Sequence, residues 1–197
     1  MYRSSSLTVT EIKVKKWLYS AVIAAIMVPL GCKTVHVDQS LTQTLGGNDP
    51  DTQMEFWHSL NDQPVTSNDD ALHALLLYED GLDPFDDYVD RVQIFKDRGW
   101  LPQQFDQSPQ QGIQRGTLAV ILVNQMGMRG GVTMHLFGPI PRYAVRELVY
   151  LGIYPTSSPH QPFSGQQFIS VMGRLEDYKR LRQADLHATK LPDEAQP

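Results

Sequence analysis

Cysteine is nearly absent from this chain of 197 residues: Cys32 is the only one. A lone cysteine excludes an intramolecular disulfide and any zinc or iron–sulfur site built from cysteines, whatever the compartment. Positive charge is also sparse beyond the first segment. Arg3, Lys13, Lys15 and Lys16 against Glu11 give residues 1–32 a net charge of +3, so that of the formal −5 the remainder carries −8. A body that acidic, with no basic stripe after residue 33, is unsuited to nucleic acid, whose affinity for proteins is dominated by phosphate neutralisation. The six histidines are scattered, with no pair at helical metal-ligand spacing. HExxH, GxSxG, GxGxxG and the phosphate-binding GxxxxGK loop are all missing, so no metal site and no cofactor is expected. Carboxylates assembled only by folding stay open as a route to catalysis.

What is present begins with a leader. Lys13, Lys15 and Lys16 precede an uncharged run from Trp17 to Gly31, which at 15 residues is short for a membrane-spanning helix and right for the apolar core of a signal peptide. Gly31 followed by Cys32 at the end of that run resembles the lipobox of bacterial lipoproteins, in which the cysteine is lipidated and becomes the new N-terminus; Pro29 stands where leucine is usual. The resemblance implies a signal peptide over residues 1–31, lipid attachment at Cys32, and a membrane-anchored protein of the cell envelope facing away from the cytoplasm. Lys33 after the cysteine resembles lipoproteins sorted outward, and the choice of membrane stays open. An uncleaved anchor helix, or a signal peptide followed by an incidental thiol, would keep the export expectation.

An apolar fraction of 41% with 20% charged residues is ordinary for a soluble globular domain, so one core is expected. Residues 32–53 are polar, with Gly46-Gly47 and Asn48-Asp49-Pro50, and predict a flexible tether. The body is expected over 54–191, and 192–197 as a disordered tail. Within the body lies an internal repeat. Val92, Phe95, Gly99 and Pro102 correspond to Val145, Leu148, Gly152 and Pro155 at an offset of 53. Ile113, Leu118 and Leu122 correspond to Phe163, Phe168 and Met172 at an offset of 50. A partial third copy starts at Val65-Thr66 and runs into Ala71–Leu77.

Each copy predicts helix, loop, helix. Asp83 and Pro84 supply an N-cap and a first-turn proline, Phe85, Val89, Val92 and Phe95 share one face, and Gly99 ends the helix. Pro141 and Gly152 bracket Ala144, Val145, Leu148 and Val149 in the same way. Ser164 and Gln167 have capping-box spacing, with Phe163 and Phe168 as a hydrophobic staple that Ile113 and Leu118 repeat. The helix after Ser164 has little to stop it before Pro192. Val132–Phe137, between paired glycines and Gly138-Pro139, predicts an extended segment. The fold class expected is mainly α: two or three helix-loop-helix repeats in one compact domain.

Residues 89–126 resemble the S-layer homology (SLH) module, a helix, a loop of about a dozen residues and a second helix opened by a basic residue; residues 142–173 look like a weaker copy. Ile113-Gln114-Arg115-Gly116-Thr117 keeps the isoleucine and arginine of the family's Ile-Thr-Arg-Ala-Glu motif, and Phe163-Ser164-Gly165-Gln166-Gln167 lacks the arginine. The resemblance implies a non-catalytic module that binds cell-wall polymer. Arg115 would set its guanidinium against an anionic sugar substituent, or else be a first-turn surface arginine. Trp100 would stack on a sugar face, or else pack back on its own helix. Glu79, Asp80, Asp83, Asp86, Asp87 and Asp90 form an acidic run without EF-hand spacing, better explained by caps and solvated turns than by calcium. Two further functions stay open: an adaptor that holds another envelope protein in an apolar groove, and an envelope hydrolase with carboxylates assembled in three dimensions.

Overall fold

A computed structural model describes residues 34–128 and 138–189, with side chains described as far as residue 185. The signal peptide, Cys32, the segment 132–137 and the tail 192–197 lie outside the described residues. Among the described residues the chain is mainly helical, with isolated bridges in place of strands. The helices are α1 (Thr42–Leu45), α2 (Pro50–Asn61), α3 (Asn68–Asp80), α4 (Tyr88–Asp97), α5 (Arg115–Gln125), α6 (Pro141–Tyr150) and α7 (Gly165–Thr189). None of those described is long and apolar enough to cross a membrane.

Local chemistry sets most of the helix ends. Ser67 caps α3 by accepting from Asp70 N at 3.0 Å, and Gly81 closes that helix at φ +77°. Ser164 and Gln167 form the expected capping box on α7, with Gln167 N donating to Ser164 Oγ at 3.3 Å and Ser164 N to Gln167 Oε1 at 3.4 Å. The C-termini of α4 and α6 are built alike. Gly99 and Gly152 take φ values of +70° and +74°, a left-handed turn that costs glycine little. Past the turns, Trp100 N and Leu101 N both donate to Phe95 O, and Ile153 N and Tyr154 N both donate to Leu148 O.

Two expectations about helix starts are corrected. The segment from Thr34 is no tether: Gly112 N donates to Val35 O at 2.8 Å, Val37 N to Gln110 O at 2.9 Å, and Ser40 and Thr42 are buried. Asp49-Pro50, taken for a flexible turn, opens α2, with Asp49 Oδ1 accepting from Thr52 N at 2.9 Å. Asp83-Pro84 opens no helix. α4 begins five residues past Asp83, which turns inward instead. In α4 the inward face is Tyr88, Arg91, Val92 and Phe95, while Val89 is 74% exposed. Of the four residues expected on this face, Val92 and Phe95 hold, Phe85 precedes the helix and Val89 is outside, because Arg91 is buried by ion pairing, which an apolar count does not register.

The centre of the body is a closed cycle of backbone hydrogen bonds. Ile113 N donates to Thr66 O, Phe163 N to Ile113 O, and Thr66 N to Phe163 O, at 2.9, 3.3 and 2.8 Å. A second cycle runs the opposite way round: Asn68 N to Gln111 O, Arg115 N to Gln161 O and Gly165 N to Gln63 O, at 2.8, 2.9 and 2.9 Å. The donors of the second cycle are the first residues of α3, α5 and α7. Helix starts leave such N–H groups without intrahelical partners, so each helix is satisfied by the loop that precedes another. Around the cycles α3 packs on α4, α5 on α6 and α7 on α2. Ile113, Phe163, Leu118 and Phe168, the two predicted staples, are fully buried.

Candidate functional site

Arg115 is not at the surface. It opens α5 at 6% exposure, with its guanidinium 4.8 Å over the Phe163 ring and Nη2 donating to Gln167 Oε1 at 2.7 Å. Nε is buried without a partner, and burial lowers the pKa of the group against a smaller opposing effect of Tyr154. The expectation of a solvated arginine failed because the cycle of loops folds residues 161–164 over its helix start. Trp100 packs edge-on against Phe95, ring centres 5.4 Å apart, with the Arg98 guanidinium 4.8 Å over its ring. Its counterpart across the offset of 53 is Ile153, a buried core residue. Arg115 and Trp100 therefore do not line a shared cleft, and Cys32 lies outside the described residues.

Three of the six acids of the run, Glu79, Asp80 and Asp83, are spent within the fold, and Asp86, Asp87 and Asp90 are exposed. Asp80 pairs with Arg98 at 2.7 Å, and Glu79 with Lys179 at 2.9 Å and with the Gln125 amide. Asp83 belongs to a buried cluster that sequence reasoning missed. His73 Nδ1 lies 2.6 Å from Asp83 Oδ2, Arg91 Nε bonds the same oxygen, and Arg91 Nη1 reaches Asp69 Oδ1 at 2.9 Å. Ser40 Oγ donates to the other oxygen of Asp69 at 2.9 Å. Asp70 accepts from Thr42 N, Thr42 Oγ1 and Ser67 Oγ.

The two aspartates on Arg91 titrate in opposite directions. Burial raises the Asp69 pKa, outweighing the hydrogen bond from Ser40 and the charge of Arg91. Burial pushes Asp83 the same way, but bonds from His73, Arg91 and Phe85 N together bring its pKa below the ordinary value. Perturbed carboxylates can mark an active site. These two are 5% and 2% exposed and every oxygen has a partner, which leaves no place for a substrate. Their work is to tie α3, α4 and the segment before α1 together. A signal existed for it: Arg91 on the apolar face of a helix otherwise patterned for burial.

Two open hollows occupy corresponding positions. The first, about 390 Å³, lies between the 99–107 loop, α5 and the start of α6, and includes Pro102, Thr117, Val120 and Asn124. The second, about 250 Å³, is lined by Pro155, Gln166, Gln167, Ser170, Val171 and Arg174. Pro102 and Pro155 correspond at the offset of 53, and Thr117, Val120 and Asn124 correspond to Gln167, Ser170 and Arg174 at the offset of 50. The first is walled mainly by apolar side chains such as Leu101, Phe105 and Ile140. The second also exposes mostly carbon, but four of its six lining residues, Gln166, Gln167, Ser170 and Arg174, carry polar groups. Arg174 is exposed and has no hydrogen-bond or ion-pair partner among the described residues, and the Gln167 that Arg115 holds lies beside it. Neither hollow is lined by a carboxylate or a histidine.

No protein-family model, curated protein or solved structure matches this chain.

Proposed function

We propose that the chain is a non-catalytic lipoprotein of the bacterial cell envelope, anchored through Cys32, whose body is three degenerate helix-loop-helix units of SLH type. Its ligand is a cell-wall polymer with an anionic substituent. The observation that carries the ligand is the set of groups at the second hollow: a free guanidinium on Arg174 beside two amides, Gln166 and Gln167, and the Ser170 hydroxyl. A guanidinium matches carboxylate or phosphate through paired N–H donors, while amides and a hydroxyl suit sugar hydroxyls. Arg115 acts through Gln167, holding its amide oxygen and so its place in the wall of the hollow.

Three units are supported by the two cycles of backbone bonds, in which Thr66, Ile113 and Phe163 take equivalent places, as do Asn68, Arg115 and Gly165. The first unit has the shortest loop, 62–67 between α2 and α3. In the first unit Asp70 stands where Thr117 and Gln167 stand in the others, and its carboxylate is bonded to Thr42 and Ser67.

The test is co-sedimentation of the full-length protein, in detergent, with isolated cell-wall sacculi that keep or lack their secondary polymers. Saturable binding that needs the polymers, falls at least tenfold in Arg174→Ala and returns in part in Arg174→Lys supports the proposal. Polymer-independent or absent binding refutes it. The apolar hollow by Leu101 and Phe105 favours a second function, an adaptor for another envelope protein; binding of such a protein lost in Val120→Asp but kept in Arg174→Ala would select it.

A further inference from the structure

We propose that copies of this chain associate head to tail, the outer face of α6 on one copy meeting the start of α4 on the next. Neither the anchor nor the wall ligand enters into it. The chain divides its charge unevenly. Residues 34–110 hold 15 carboxylates against three basic side chains, whereas residues 111–185 hold eight basic side chains against four carboxylates. α4 and α6 are equivalent helices, related by the offset of 53 and closed by the same glycine turn. They pack on α3 and α5 respectively, and their outer faces differ in sign. Arg142, Arg146 and Tyr150 recur every four residues along α6, which keeps them on one side. All three are exposed, Tyr150 to 85%, and neither arginine has an ion pair or hydrogen bond among the described residues. Glu147, half-buried, is the one acid of that helix.

The start of α4 is the complement. Val89 stands where α6 has Arg142 and is 74% exposed. Near it in the chain lie Asp86, Asp87 and Asp90, exposed and without side-chain partners among the described residues. Asp87 immediately precedes α4, yet its side chain does not cap the helix. The basic groups of this helix lie toward its other end, where Arg98 is already paired with Asp80. Within one copy the three carboxylates and two guanidiniums do not meet; between copies each finds its opposite. A guanidinium takes a carboxylate through paired N–H donors, and Val89 gives the Tyr150 ring an apolar surface to cover. An anionic polymer on α6 would use the arginines and leave the acids and Val89 without a role. Because the two patches differ, each added copy leaves one of either sign open, and association continues past a dimer unless a ring closes.

The experiment is sedimentation velocity of the full-length protein in nonionic detergent, with micelles in excess over protein. At about 50 mM salt the sedimentation coefficient should rise with protein concentration. At about 500 mM, where the screening length is roughly threefold shorter, the association constant should fall about tenfold. Arg142→Glu with Arg146→Glu, and separately Asp86→Arg with Asp90→Arg, should each abolish the rise. An equal mixture of those two variants should restore it, which misfolding of either would prevent. Charge reversal on α2, Asp51→Arg with Glu55→Arg, should leave association as in the parent. No concentration dependence at low salt overturns the proposal, as does a mixture that stays monomeric or a loss of association in the α2 variant. Absent self-association together with weaker sacculus binding by the arginine variant overturns it in favour of polymer on this face.

Discussion

Arg115 Nη2 donates to Gln167 Oε1 across 2.7 Å, joining the first residue of α5 to the first turn of α7. The guanidinium is buried over Phe163 while the amide it holds reaches the edge of the second hollow. Replacing Arg115 with alanine removes a charged hydrogen bond and a buried stacking contact, so urea unfolding should show a loss of about 2 to 3 kcal/mol. Arg174→Ala, on the surface, should change stability by less than about 0.5 kcal/mol. Equal stability of the two variants would refute a structural role for Arg115.

Gly165 offers a sharper contrast. A Cβ built there falls 1.5 Å from Leu60 O, so α2 and α7 approach as closely as they do only because that residue has no side chain. Gly165→Ala should cost about 3 kcal/mol or more. Gly173 lies eight residues further along the same helix with nothing within 4 Å of such a Cβ. There the alanine should stabilise by about 0.5 to 1 kcal/mol. Chemical denaturation of both variants reads the difference directly, and similar effects would mean the α2–α7 contact is misplaced.

The ends of α4 and α6 should respond alike. Gly99 and Gly152 both have positive φ and open space where a Cβ would stand, so an alanine meets no clash and only the conformational cost of the left-handed region. Each variant should lose about 1 to 2 kcal/mol. Thermal melts that separate them widely would contradict the equivalence of the two turns.

Asp83 and Asp69 give stability two opposed dependences on pH. The Asp83 pKa in the fold lies below 3.8, so its contribution is fully present above that value and is lost as pH falls through the folded pKa. The Asp69 pKa lies above 3.8, so its contribution is present below that value and is lost as pH rises through the folded pKa. Asp83→Asn should therefore flatten the acid limb of a stability-pH curve and cost about 3 kcal/mol at neutral pH, since it takes from the buried Arg91 one of its two carboxylates and leaves only Asp69. Asp69→Asn removes a desolvated charge while keeping an acceptor for Ser40, and should cost under about 1 kcal/mol. A reversed order would place the main partner of Arg91 wrongly.

Removing residues 34–48 tests the expected tether directly. A tether would be silent in unfolding experiments. The segment instead supplies Ser40 to the Asp69 carboxylate and Thr42 to that of Asp70, while Asn48 accepts from Asp83 N and donates to Asp83 O; its loss leaves those buried groups short of partners. The truncated protein should be destabilised by about 3 kcal/mol or more, with amides of α3 losing protection from hydrogen exchange first.

The dipeptide Asp-Pro occurs twice in these stretches, and the two outcomes show where sequence reasoning stops. At Asp49-Pro50 it caps and starts α2; at Asp83-Pro84 the same pair lies outside any helix, because the carboxylate is taken by His73 and Arg91. A cap competes with every other donor that folding brings near. Only Phe85 N among the groups bonded to the Asp83 carboxylate is local; His73 lies ten residues before it and Arg91 eight residues after it, and nothing local announces those two. Arg115 shows the same limit. Its place at a helix start was legible, but its burial depends on residues 161–164, half a hundred positions later.

The sequence by itself determined the helical class, the staples at Ile113 and Phe163, the capping box at Ser164, the two glycine turns and the length of α7. Those features rest on side chains within about five residues of one another, whose preferences act whatever the rest of the chain does. Tertiary structure alone decided that Arg91 and Arg115 are buried, that residues 34–49 belong to the body, and that Arg174 is left free at the wall of the second hollow. Charged and polar groups have no fixed preference for inside or outside; they follow the partners available to them, and here those partners come from loops that meet only when the two cycles of backbone hydrogen bonds close.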